Sequence, residues 1–189
     1  MNNYMELDDF NKGDKEILNL DFIDHLDSNK TKMYIDTPDV LENKIDEIDK
    51  IFNSSLAFNT KVYALHKIYE DLTNIQKAGR EGRYLIIKIG EICFLNRKIE
   101  DALYNFNYAM KFNDTIGNPF LHLRLGQLQY CIGNKDRMID ELSRALIMGG
   151  EEVFENENPM FMKIPKSILK EPMDCSWEDY KGQDWKSTK

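Results

Sequence analysis

Gly90, Ala102, Phe106 and Ala109 are followed, 36 residues later in each case, by Gly126, Met138, Leu142 and Ala145. This internal repeat constrains the fold more than any other feature of the chain. A unit of this length cannot bury its own apolar face and must stack on a neighbour. Within each block the apolar residues recur at helical spacing, and the small residues fall where two helices would cross closely. A side chain larger than methyl at such a crossing would push the backbones apart.

The order of landmarks resembles the tetratricopeptide repeat. Ile86, Ile89-Gly90, Cys93-Phe94, Ala102, Phe106 and Ala109 supply the first unit, and His122, Leu125-Gly126, Tyr130, Met138, Leu142 and Ala145 the second. The resemblance implies an all-α fold of antiparallel helical hairpins, a short α-solenoid. Residues 79–150 hold the two units. Residues 1–78 are expected to form an acidic amino-terminal helical cap, and residues 151–170 a carboxy-terminal helical cap. Residues 171–189 are a polar segment with isolated Trp177, Tyr180 and Trp185, either a tail or a piece that docks on the body or on a partner.

Charge is unevenly spread within the net −8. Residues 1–78 hold 16 acids against 9 lysines, residues 79–150 hold 8 acids against 10 bases, and residues 151–189 hold 9 against 6. An acidic front thus precedes a mildly basic centre. This distribution argues against general nucleic-acid binding, which needs a concentrated basic surface, and accommodates a basic protein partner. No apolar run approaches the ~18 residues of a membrane span, and the amino end lacks the basic start and apolar stretch of a signal peptide. The expectation is therefore a cytoplasmic protein without membrane contact. Cys93, Cys131 and Cys175 are far apart and read as free thiols, and the sequons at Asn53 and Asn113 as chance matches.

Along the chain, Asp14 is a candidate cap for a helix from Lys15 to about His25, the alternative being a loosely attached arm. Thr37-Pro38-Asp39 starts a helix reaching about Asn53. Thr60 is expected to cap the next, which runs on to Gly79 in the left-handed conformation. This pair sits too far upstream for the repeat spacing and reads as a capping hairpin. Gly79 to Arg83 reads as a turn, since it lacks the spacing of a phosphate loop. Then come helices Tyr84–Leu95, Lys98–Phe112, Pro119–Cys131 and Asp136–Met148, the last broken by Gly149-Gly150. A short turn at Glu151–Phe154 precedes a segment from Pro159 that Pro165 kinks or ends.

No catalytic or metal signature stands out. His25, His66 and His122 have no partner at ligand spacing and read as structural. Adjacent acids such as Glu100-Asp101 and Asp140-Glu141 point in different directions on a helix. The expectation is a non-enzyme with no cofactor. The candidate partner-binding site is the concave face lined by the first helix of each unit. Tyr84, Lys88, Glu91 and Phe94 from the first unit stand one repeat from Phe120, Arg124, Gln127 and Tyr130 of the second. Two cations among aromatics suit an extended acidic peptide or a helix. Alternatively, the aromatics pack against the capping hairpin and the cations are merely solvated.

A narrower resemblance spans about residues 84–161. Gly117-Asn118-Pro119-Phe120-Leu121-His122-Leu123-Arg124-Leu125-Gly126-Gln127, then Glu141-Leu142-x-Arg144-Ala145, Gly150-Glu151-Glu152-Val153-Phe154 and Pro159-x-Phe161 look like a group of small bacterial tetratricopeptide proteins. Members are often encoded near polymorphic or contact-dependent toxins, and some are regarded as immunity proteins. The resemblance implies stoichiometric binding of a protein, most specifically a cognate toxin. The alternative is an adaptor or chaperone holding a short peptide in the groove. The oligomeric state is not fixed by these residues.

Overall fold

The computed structural model describes residues 38–113 and 115–170, with side chains from residue 44 onward. The expectations for a helix at Lys15–His25 and for the Trp-containing segment lie outside the described residues. Among the described residues every regular element is helical. In chain order these are α1 (Pro38–Phe52), α2 (Phe58–Asp71), α3 (Asn74–Ala78), α4 (Arg80–Leu95), α5 (Ile99–Ala109), α6 (Pro119–Cys131), α7 (Lys135–Gly149), a 3-10 turn (Glu152–Phe154) and α8 (Pro159–Lys166).

Helices α4 and α5 pack as one hairpin, and α6 and α7 as another. The repeat seen in the sequence is a repeat of contacts. A Cβ on Gly90 would stand 3.0 Å from the Phe106 ring, and one on Gly126 would stand 2.7 Å from the Leu142 side chain. In each hairpin the glycine of the first helix therefore makes room for the bulky residue 16 positions later. Ala102, Phe106, Ala109, Leu142 and Ala145 are completely buried.

The turns repeat as well. Lys98 N–H donates to Cys93 O and Arg97 N–H to Phe94 O; 36 residues on, Asn134 N–H donates to Gln129 O and Gly133 N–H to Tyr130 O. This double closure needs a left-handed residue. Gly133 takes it at φ 77°, and Arg97 takes it at φ 60°. Between the units, the Thr115 hydroxyl donates to Ala109 O and Phe112 O, closing the end of α5. Asn118 then caps α6 ahead of Pro119.

The region before Tyr84 differs from the sequence reading. Thr60 lies inside α2, whose cap position is Ala57 with no side-chain bond. Helix α2 ends at Asp71 rather than continuing to Gly79. Thr73 makes a capping box with Gln76 that starts α3 afresh. Gly79 is extended at φ −99°, not left-handed, and α4 begins at Arg80, four residues before Tyr84. The segment expected as a turn is thus mostly helix. Gly82 explains the compact junction, because a Cβ there would stand 2.1 Å from Lys77 O.

Two cores result. Ile48, Val62, Leu65 and Ile68 join Leu85, Ile86, Ile89, Phe106, Leu121 and Leu125 in one, so α1 and α2 share the core of the first hairpin. The second gathers Leu123, Met138, Leu142 and Leu146 with Phe154 and Phe161 from beyond α7. The carbonyl of Phe52 at the end of α1 accepts from Lys61 Nζ of α2 at 2.8 Å.

Gly82→Ala and Gly126→Ala should each lower unfolding free energy by about 1–3 kcal/mol, the usual cost of overpacking. Gly117→Ala should stay within ~0.5 kcal/mol, since nothing lies within 4 Å of its added Cβ. Urea denaturation of the three variants checks this, and equal loss in all three would contradict it.

Candidate functional site

Of the eight residues expected on the concave face, Glu91, Phe94, Phe120, Arg124 and Gln127 come together, while Tyr84 and Lys88 meet α1 and Tyr130 meets α8; each is engaged within the chain. Arg124 occupies the centre. Its Nε donates to Glu91 Oε2 at 2.9 Å and its Nη2 to Glu91 Oε1 at 2.8 Å, a two-pronged pair between α6 and α4. Nη1 donates to Gln127 Oε1 at 2.9 Å and to Glu157 Oε1 at 2.7 Å. Gln127 Nε2 donates to the other Glu157 oxygen at 2.7 Å. The guanidinium carbon lies 4.6 Å from the Phe94 ring centre and 5.0 Å from that of Phe120.

Arg124 is only 8% exposed. Burial opposes its charge, yet the Glu91 and Glu157 carboxylates outweigh burial and hold the guanidinium above its ordinary pKa. The cluster sets one cation against two carboxylates and keeps a residual negative charge. Phe120 also meets Phe106 edge-on, which joins the cluster to the first core.

Lys88 repeats this arrangement one unit earlier. Its Nζ lies 3.1 Å from Asp49 Oδ1, 4.2 Å from the Phe52 ring centre and 5.1 Å from that of Tyr84. The Tyr84 hydroxyl donates to Asp49 at 2.7 Å. Asp49 and Phe52 of α1 therefore do for Lys88 what Glu91 and Phe94 of α4 do for Arg124. The acid and the aromatic are three residues apart in both helices, and the two pairs are separated by 42 residues rather than 36. Helix α1 thus takes the part of a first helix, with α3 interposed before α4. At the other end, Tyr130 meets Phe161 of α8 edge-on, ring centres 5.7 Å apart. Of the four aromatics, Tyr84 bonds to α1 of the capping hairpin and Tyr130 packs on α8, whereas Phe94 and Phe120 flank Arg124. Neither cation is merely solvated.

The Tyr84 hydroxyl holds the Asp49 carboxyl below its ordinary range, and Lys88 adds to this while partial burial opposes it. On the phenol, burial acts first and the Asp49 carboxylate second, and both raise it.

His122 is bonded at both ring nitrogens, Nδ1 to Glu141 Oε2 at 2.7 Å and Nε2 to Ile116 O at 2.9 Å. It ties the inter-unit turn to α7, and Arg137 holds the other Glu141 oxygen at 3.0 Å. Burial pushes the Cys93 thiol to about 12 and the Cys131 thiol to about 11, so both stay protonated at neutral pH. Among the described residues no group of three His, Cys, Asp or Glu could hold a metal ion. No helix among them is long and apolar enough to cross a membrane.

Sequence reasoning missed Asp49, Phe52 and Glu157. The acid-x-x-aromatic spacing of Asp49-Phe52 was a usable signal, since it matches Glu91-Phe94; Glu157 has no such signal. No protein-family model, curated protein or solved structure matches this chain.

Arg124→Met leaves two half-buried carboxylates without their cation and should cost about 3 kcal/mol, and changing Glu91 and Glu157 to Met as well should recover most of it. Thermal and urea unfolding of the single and triple variants measure both effects. Tyr84→Phe should cost about 1 kcal/mol at pH 7. Because the folded Asp49 pKa is depressed, its contribution is present above the ordinary value of 3.8 and fades as pH falls through the lower folded value. The gap between wild type and Tyr84→Phe should therefore narrow on acidification, and a gap that widens would contradict the assignment.

Proposed function

We propose that this chain is a non-catalytic protein-binding module of the tetratricopeptide type, and most specifically an immunity protein that neutralises a cognate toxin by covering its working surface. The observation that carries this reading is the acidic segment after the last hairpin. Glu151, Glu152 and Glu155 are exposed while Phe154 between them is buried in the second core. Glu157 is anchored on Arg124, and Asn158 caps α8 through Met160 N–H. The carboxylates are thus displayed from a segment fixed at both ends, with Glu151 paired to Lys166. A preordered acidic edge on a chain of net charge −8 would associate quickly with a basic toxin such as a nuclease.

A second reading, an adaptor for an acidic peptide, is favoured by one specific observation. Arg124 and Gln127 together hold both oxygens of the Glu157 carboxylate, with Arg124 itself set beside the Phe94 and Phe120 rings. The two readings separate by the charge of the partner.

Toxin neutralisation predicts a one-to-one complex with the product of an adjacent gene, and killing by that product in cells lacking this protein. Changing Glu151, Glu152 and Glu155 together to Gln should slow association by roughly tenfold at low salt and flatten its salt dependence, with unfolding unchanged. Stopped-flow association reads this out. Absence of a complex with any neighbouring product would reject the toxin reading. An unchanged association rate in the triple variant would reject the acidic edge as its interface.

A further inference from the structure

Glu157 occupies the Arg124 cluster in the manner of a ligand. Its two carboxylate oxygens are taken one each by Arg124 Nη1 and Gln127 Nε2, at 2.7 Å in both cases. Neither donor group belongs to the segment that supplies the acid, which lies 33 residues beyond Arg124 in sequence. Glu91, by contrast, holds the opposite edge of the guanidinium through Nε and Nη2.

The three charged members are not equally enclosed. The Arg124 and Glu91 side chains are 10% and 13% exposed, and Glu157 is the outermost at 19%. It stands on the connection between the 3-10 turn and α8, where its own backbone N–H bonds to Phe154 O. Removing its carboxylate would leave Arg124 still paired to Glu91. One guanidinium hydrogen and one amide hydrogen would then converge, unpaired, on the place it left. A buried donor without an acceptor costs about 1–3 kcal/mol, so this arrangement favours refilling by another carboxylate.

We infer that the Arg124–Gln127 fork is a carboxylate-binding site kept closed by Glu157, and that an acidic side chain of a peptide partner opens it by displacing Glu157. The inference rests on the acidic-peptide reading given above. Glu157 is tethered, so it competes at a fixed effective concentration and lowers the apparent affinity of an outside ligand by the fraction of time the site is open. The affinity is then set by the 151–158 segment as well as by the fork.

The test uses the full chain and the blocked peptide acetyl-Gly-Phe-Glu-Phe-Gly-amide, with the same peptide carrying Gln in place of Glu as its control. Titration is followed calorimetrically for wild type, Glu157→Ala, Glu157→Gln, and Glu157→Ala combined with Arg124→Lys, and each variant is melted to establish that it is folded. Glu157→Ala should bind the Glu peptide at least ~10-fold more tightly than wild type. The Gln peptide should bind neither, and adding Arg124→Lys should abolish the gain. Glu157→Gln keeps a neutral partner for Arg124 and should fall between wild type and Glu157→Ala. It also serves as the folded reference if Glu157→Ala melts early. Measurable but equal binding by wild type and both Glu157 variants would overturn the gating role while leaving the acidic-peptide reading standing. No binding by any variant at millimolar peptide would overturn both.

Discussion

The structure depends on the close crossing of two helices at a glycine. Gly90 against Phe106 and Gly126 against Leu142 bring each hairpin to a separation at which a Cβ would crowd the partner side chain. That separation fixes the register of the second helix on the first and lets the same turn, with its left-handed residue, close both hairpins. With the hairpins alike, their first helices place side chains in register, and Arg124 of α6 meets Glu91 of α4 with both prongs of its guanidinium. The polar cluster is thus a consequence of apolar packing one layer away.

What could be read from the sequence follows from which contacts are periodic. The glycine, alanine and bulky landmarks of α4 to α7 recur because the same crossing is built twice, so helix type and pairing were legible there. Helix α1 was harder to place, since α3 shifts its partner positions from 36 to 42 residues and a fixed period no longer finds them. The Thr73–Gln76 capping box was visible as Thr-x-x-Gln, but the apolar stripe running on through Ile75 masked it. Arg97 gave no sign of its left-handed backbone, because the residue that usually reports that conformation is glycine, as at Gly133. Of the candidate residues, the grouping of Glu91, Phe94, Phe120, Arg124 and Gln127 was legible from the repeat, but their pairing was not. That Lys88 answers to Asp49, and Arg124 to Glu157, depends on how separate elements come together in space.

The cluster also shows how one charge is made tolerable in a mostly apolar setting. Four of the five guanidinium hydrogens have acceptors, and two aromatic rings lie within 5.0 Å of its carbon. Such clusters add little net stability over apolar replacements of the same volume, whereas their geometry is exacting. Here the geometry selects which helix lies beside which. An acid in the position of Glu91 and an aromatic in that of Phe94 recognise an arginine flanked by its own aromatic, and the α1 pair repeats this for Lys88.

Arg124 reaches back to the first hairpin through Glu91 and forward past α7 through Glu157, while Lys88 reaches back to α1. Stacked repeats that touch only their nearest neighbours unravel from their ends, each unit loosening by its own local equilibrium. Side-chain ties that run from α1 through α4 and α6 to the segment before α8 work against that independence. A chain tied in this way is expected to exchange the amide hydrogens of α4 and α6 through one common opening rather than through separate local ones.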